Sequence, residues 1–158
     1  MPLFFYFCIH LKKYLLTRIL ALDYGNKRVG VAVTDPLQLI ASGLKTVPTH
    51  DIFTFLSDYF AKEEVKEIIV GYPKKLNNQP SDNVKYVDPF IKKLEQTYPS
   101  KKIILVDERF TSKIALRSMI DGGLKKKQRQ DKELVDKISA VVILQSYLEN
   151  RQFIRERQ

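Results

Sequence analysis

Apolar positions along the chain change their period several times. Residues 18–23 read RILALD, an apolar run closed by a carboxylate, and residues 28–34 read RVGVAVT. Short runs of this kind predict two buried strands, and GNKR between them predicts a hairpin turn. Pro36 ends the second strand. ASGLKTV at 41–47 predicts a third, shorter and more exposed, so the chain opens as an antiparallel meander. From Asp51 to Glu64 the spacing turns helical, with Ile52, Phe53, Phe55, Leu56, Tyr59 and Phe60 recurring on one side. EIIVG at 67–71 predicts a buried parallel strand. YPKKLNNQPSD at 72–82 has the composition of a loop. A helix follows to about Tyr98, and Pro89 within it marks either the start of the regular helix or a kink. KKIILVDER at 101–109 predicts another buried strand with polar residues at its exit. Thr111 and Ser112 are suited to cap a helix that Gly122-Gly123 stops after Asp121.

LKKKQRQDKE at 124–133 has little apolar content and predicts a loop. The last helix is expected from about Lys132 to Asn150. Leu134, Val135, Ile138, Val141, Val142, Leu144 and Leu148 make it apolar over much of its circumference, with Ile138, Val142 and Gln145 reaching toward the sheet. The order βββαβαβαα predicts an α/β fold: one five-stranded mixed sheet, meander first and parallel strands after, with helices on both faces. There is no internal repeat and no linker composition.

Charge and composition narrow the partner. The chain has 158 residues, 44% of them hydrophobic, which suits one domain with a real core. Lys and Arg number 27 against 18 Asp and Glu, a net charge of +9 that favours a polyanion, nucleic acid above all. Cys8 is alone, and His10 and His50 have no metal-ligand spacing, so neither a disulfide framework nor a thiolate site is expected, as in a reducing cytoplasm. The opening MPLFFYFCIHLKKYLL is apolar from Leu3 to Ile9. That is much shorter than the roughly 20 residues of a membrane span. Its charges, Lys12 and Lys13, follow the apolar stretch, whereas in a secretory signal they precede it. The expected organisation is therefore an added segment at 1–16, a domain at 17–150 and a tail at 151–158, with no membrane partner.

In sheets of this kind ligands gather beyond the carboxyl ends of the parallel strands. The first, fourth and fifth strands end there in Asp23, Gly71 and Asp107-Glu108-Arg109. Gly71 leaves a gap between carboxylates, Pro73 stiffens the loop that follows, and Gly25 lets the chain turn away sharply. Side chains alternate along a strand, so only one of Asp107 and Glu108 can face the gap. A further carboxylate, Asp136, sits among apolar residues of the last helix, where an ionised group is costly unless a positive charge neutralises it. Close carboxylates repel unless a cation is bound. Oxygen ligands without Cys or His suit Mg²⁺ or Mn²⁺, as one ion or two. Two such ions about 3.5–4 Å apart activate water and stabilise the leaving oxygen in phosphodiester cleavage. Each acid alone has an ordinary reading, as a turn former or the partner of a lysine; the conjunction points to chemistry. Lys27, Arg28 and Arg109 border these acids and suit phosphate oxygens. Lys125, Lys126, Lys127 and Arg129 precede Asp136 and suit a nucleic-acid backbone, the alternative being a solvated loop.

Four segments together, ILALDYGNKRVGVAVTD, IIVGYP, VDERFTS and VDKISAVVILQSYL, resemble the YqgF (RuvX) family of the ribonuclease H-like superfamily over about residues 17–150. The resemblance implies a ribonuclease H-like fold and a metal-dependent nuclease acting in 5′-end maturation of pre-16S ribosomal RNA, within pre-ribosomal particles. It assigns the metal-binding, catalytic acids to Asp23, Glu108 and Asp136. Cleavage of branched DNA, as by Holliday-junction resolvases, is the alternative within the fold. Three features depart from the family pattern: residues 1–16, the sequence Lys74-Lys75-Leu76-Asn77-Asn78 where an apolar residue and an Asp-Gly turn are usual, and Pro89. Two other classes compete. A non-catalytic RNA- or ribosome-binding module would keep the basic residues without needing the acids. A phosphotransferase of the actin and sugar-kinase group shares the Asp-x-Gly turn, but its two lobes require a far longer chain.

Overall fold

Strand β1 (Arg18–Tyr24) runs through the middle of a five-stranded sheet in the computed structural model, which describes residues 16–73, 83–107 and 111–156. It is followed by β2 (Arg28–Thr34), β3 (Ala41–Pro48), a single 3-10 turn (Thr49–Asp51), α1 (Ile52–Lys62) and β4 (Val65–Tyr72). Then come α2 (Val84–Thr97), β5 (Lys102–Asp107), α3 (Thr111–Asp121), α4 (Lys126–Arg129) and α5 (Lys132–Glu156). Across the sheet the order is β3-β2-β1-β4-β5. The β1–β2 and β2–β3 pairs are antiparallel, and β1–β4 and β4–β5 are parallel. The hairpin expected at GNKR forms, with the Gly25 N–H donating to the Arg28 carbonyl at 2.9 Å. A Cβ on Gly25 would lie 2.6 Å from that oxygen, so the turn is closed to other residues. Expectations placed on residues 1–15, on the loop at 74–82, and on Glu108 and Arg109 lie outside the described residues.

Strand alternation divides the core in two. Leu20 and Leu22 join Val29, Val31, Ile68 and Val70 under α1 and α2, where Leu56 and Leu94 are fully buried. Ile19 and Ala21 face the other way, with Ala32 and Ile69, against Ala140, Ile143 and Leu144 of α5. Each fully buried Leu or Ile contributes about 1.5–3 kcal/mol, so the sheet holds helices firmly on both sides. Helix α3 rests on α5, burying Ala115 and Met119. Among the described residues no helix is long and apolar enough to cross a membrane.

Several elements depart from the pattern-based reading. Helix α2 begins at Val84, five residues ahead of Pro89, so the start-at-proline alternative fails. Val87, Phe90, Ile91 and Leu94 bury one stripe of it, and packing outweighs the backbone hydrogen bond that Pro89 cannot donate. The stretch expected as loop contains the single turn α4, closed locally: the Gln128 Oε1 accepts the Lys125 N–H at 2.9 Å. Helix α5 continues past Asn150, through most of the expected tail, to Glu156. Its sheet-facing stripe is Asp136, Ala140, Ile143, Leu144 and Tyr147 rather than Ile138, Val142 and Gln145. Gln145 is exposed and donates to Glu149 at 3.1 Å.

Candidate metal and nucleic-acid site

Asp23 shares the parity of Ile19 and Ala21, so its side chain rises from the face that α5 covers. Its antiparallel neighbour is Gly30. One residue beyond the Leu22–Val70 pair, Gly71 of β4 comes level with it, and Gly71 is beside Val106 of β5. The carboxylate therefore stands between two positions that carry no side chain. The glycines serve different purposes. A Cβ on Gly30 would overlap the backbone carbonyl of Asp136, so α5 is seated directly on β2 at that point. Gly71, itself buried, adds no side chain on the opposite flank of Asp23, toward β5.

Asp136 is thus fixed by its backbone above the strand next to Asp23. Its side chain meets Arg28, which begins β2 on the same face as Gly30. The Arg28 Nε donates to the Asp136 Oδ2 at 2.8 Å, with the two side chains 32% and 26% exposed. This supplies the positive charge that a carboxylate on a packing stripe requires. The start of α5 is held by Asp131, whose Oδ1 accepts the Glu133 N–H at 3.0 Å, and by Thr46, whose hydroxyl donates to the Glu133 carbonyl at 2.7 Å. The hairpin is fixed by Thr49: its N–H donates to the Lys27 carbonyl at 3.1 Å and its hydroxyl to the Gly25 carbonyl at 2.7 Å.

Of the strand-end pair on β5, parity orients Asp107. Asp107 has the parity of Ile103, which packs on the α1–α2 core, so it points away from Asp23. Beside it, Tyr72 belongs to that same opposite layer. Its hydroxyl donates to Asp88 at 3.0 Å, and burial, that hydrogen bond and the Asp88 charge all push its phenol upward. The structure accordingly places Asp23 and Asp136 on one face of the sheet, on neighbouring positions around Gly30, while Glu108 and Arg109 lie outside the described residues. Among the described residues no group of three or more His, Cys, Asp or Glu forms. Pro73 is buried just past β4. Lys27 is exposed at the hairpin turn, and Lys125, Lys126 and Lys127 are exposed on α4 and its leading edge. Arg129 is half-buried, and among the described residues its Nε has no hydrogen-bond partner.

Two carboxylates at the carboxyl edge of a sheet, one already drawing a cationic side chain, fit a hard divalent cation by donor chemistry and by charge. Sequence reasoning missed Gly30, although a glycine inside a strand marks a close backbone approach. It also left the Arg28–Asp136 pair unseen, since 108 residues separate the partners.

The antiparallel meander continued by parallel strands, with acids at the carboxyl edge of the first strand and on the last helix, has the architecture of a ribonuclease H-like domain. RuvC of T. thermophilus, solved in complex with a Holliday junction substrate, has this fold: the TM-score is 0.54 at 16% identity, over 86% of this chain and 96% of that one. The chain belongs to the RuvX family, described as Holliday junction resolvase, whose profile matches residues 17–150. A relative from Phocaeicola vulgatus is 57% identical over 139 residues, spanning 88% of this chain and 100% of its own. One from Bacteroides thetaiotaomicron is 54% identical over 138 residues, spanning 87% and 100%. Both carry the name "Putative pre-16S rRNA nuclease".

Proposed function

We propose that the protein is a metal-dependent nuclease that hydrolyses phosphodiester bonds in the 5′-end processing of precursor 16S rRNA in the cytoplasm, with residues 17–150 as the nuclease domain. The observation that carries this reading is Asp23, set between Gly30 and Gly71, with the backbone of Asp136 anchored over Gly30 on the same face of the sheet. Asp23, Asp136 and Glu108 are the residues that would hold Mg²⁺ or Mn²⁺. When bound, the metal supplies activation of water and positive charge for the departing oxygen. The orientation of Asp107, away from Asp23, supports Glu108 rather than Asp107 as the third ligand. Lys27, Arg28, Arg109 and the basic residues Lys125, Lys126, Lys127 and Arg129 would bind the nucleic-acid backbone around the cleavage point. The names of the relatives support precursor 16S rRNA as the substrate, and the family description supports branched DNA as a second reading.

The test incubates the full chain with a pre-16S 5′-leader RNA and, separately, a four-way DNA junction, in Mg²⁺, Mn²⁺ or EDTA. Asp23→Asn, Glu108→Gln and Asp136→Asn are run in parallel. RNA cleavage that needs the metal and falls about 100-fold or more in each variant is the expected result. Cleavage that survives chelation or these substitutions overturns the metal-nuclease reading. RNA binding without cleavage identifies a binding module, and preferential cleavage of the junction identifies a resolvase.

A further inference from the structure

We propose that Arg28 is a displaceable counter-ion: it holds Asp136 before a divalent cation binds, gives way when the cation arrives, and is thereby released toward the nucleic-acid phosphate. This rests on the reading of Asp136 as a metal ligand, and it adds a linkage that the reading itself does not contain.

The two partners are not equally able to move. The Asp136 backbone is wedged against Gly30, where not even a Cβ fits, so its carboxylate stays above the strand. Arg28 approaches on a long side chain from the first position of β2, next to the exposed hairpin turn, and is itself 32% exposed. The contact engages Oδ2, one of the oxygens a cation would require, at a hydrogen-bonding distance of 2.8 Å. A guanidinium and a divalent cation therefore compete for one carboxylate, and the divalent ion carries twice the charge. With Asp23 on the neighbouring strand, the metal-free site holds two described acids, and Arg28 offsets their repulsion. Once displaced, its planar fork suits the two oxygens of a phosphate better than a lysine would. The pair thus links metal occupancy to substrate grip: the phosphate-binding arginine is withheld while the site lacks metal.

Linkage of this type is measurable without catalysis. The full chain, free of nucleic acid, is titrated with Mn²⁺ by calorimetry and by electron paramagnetic resonance, comparing wild type with Arg28→Gln, Arg28→Lys, Asp136→Asn and the Arg28→Gln/Asp136→Asn pair. Arg28→Gln is expected to bind Mn²⁺ at least about fivefold more tightly, the lower end of ordinary coupling between sites, and to gain more in Tm on adding Mn²⁺. Arg28→Lys should lie between wild type and Arg28→Gln, and the effect should vanish in the Asp136→Asn background. The wild type provides a readout that no folding defect can blur: the Arg28 Nε–H resonance should move from its ion-paired position as Mg²⁺ is added. An unmoved resonance together with an unchanged Mn²⁺ affinity in Arg28→Gln overturns the displacement and leaves a purely structural ion pair. Failure of wild type to bind Mn²⁺, or Asp136→Asn binding it equally well, overturns the metal reading itself.

Discussion

Gly30 carries more of the site than its lack of chemistry suggests. It lies opposite Asp23 in the β1–β2 pair and directly beneath the Asp136 carbonyl, so it sets the spacing between the strand acid and the helix acid. Gly30→Ala must push α5 outward, because backbone and not a flexible tip stands in the way. The expected cost is about 1–3 kcal/mol in urea denaturation. Metal-dependent cleavage should fall further than stability alone explains, since about 1 Å of displacement between ligands costs on the order of 100-fold. Gly43→Ala is the control. A Cβ there would lie 2.7 Å from Cγ of Lys137, a side-chain atom rather than the backbone of α5, so its loss should be smaller and its cleavage closer to wild type than that of Gly30→Ala. Equal effects at the two positions would remove Gly30 from the site. Asp23 and Asp136 were legible in the sequence because each breaks an apolar pattern. Between Asp107 and Glu108 the residue pattern alone could not choose, and only the family resemblance named Glu108, because the choice depends on which face β5 turns to the core.

Elements followed the same division. Every strand of the sheet was readable from apolar runs and their bounding turns; β1, β2 and β4 are buried, while β3 and β5 are the sheet's edges and largely open to solvent, β5 against the buried strand its apolar run predicts. The turn α4 was not readable, because it is built from polar residues closing on one another. The sheet face of α5 was misjudged because that helix is apolar on several sides and α3 covers one of them. The connection between β2 and β3 shows a similar hidden order. The Asp35 carboxylate accepts the N–H groups of Leu37 at 3.0 Å, Leu39 at 2.8 Å and Ile40 at 2.7 Å. Partial burial alone would raise its pKa, but the backbone hydrogen bonds together outweigh it and hold the group below the ordinary carboxylate value. A lowered folded pKa means that the stabilisation is present above the unfolded pKa and is lost as pH falls through the folded one. Asp35→Asn keeps one acceptor oxygen where the loop uses both. It should cost on the order of 1 kcal/mol at neutral pH, a modest figure because the group is solvent-accessible. The gap to wild type should narrow on acidification below about pH 4, where the unfolded carboxyl takes up its proton. Urea denaturation at both pH values checks this, and a gap independent of pH would assign the effect to shape rather than charge.

For the molecule as a whole, the excess of 27 Lys and Arg over 18 Asp and Glu acquires a direction. Lys125, Lys126 and Lys127 are exposed immediately before the helix that carries Asp136, and Lys27 is exposed at the hairpin that carries Arg28. Positive charge is thus connected through the chain to both elements that deliver the acids, so substrate bound by its backbone would be presented to the carboxyl edge of β1. The consequence is a salt dependence assignable to particular residues. Each phosphate neutralised on a single strand contributes about 0.7 to the slope of log K against log salt. Replacing Lys125, Lys126, Lys127 and Arg129 by Gln should therefore reduce that slope by up to about 3 for leader RNA, while weakening binding similarly for unrelated sequences. Folding should be little affected at the three exposed lysines. Arg129 is half-buried with no partner for its Nε among the described residues, so it is also changed alone, to separate a packing defect from a lost phosphate contact. Leader binding that weakens with an unchanged slope would trace the loss to packing. Binding and slope both unchanged would return these residues to solvent and leave Lys27 and Arg28 as the principal phosphate contacts among the described residues.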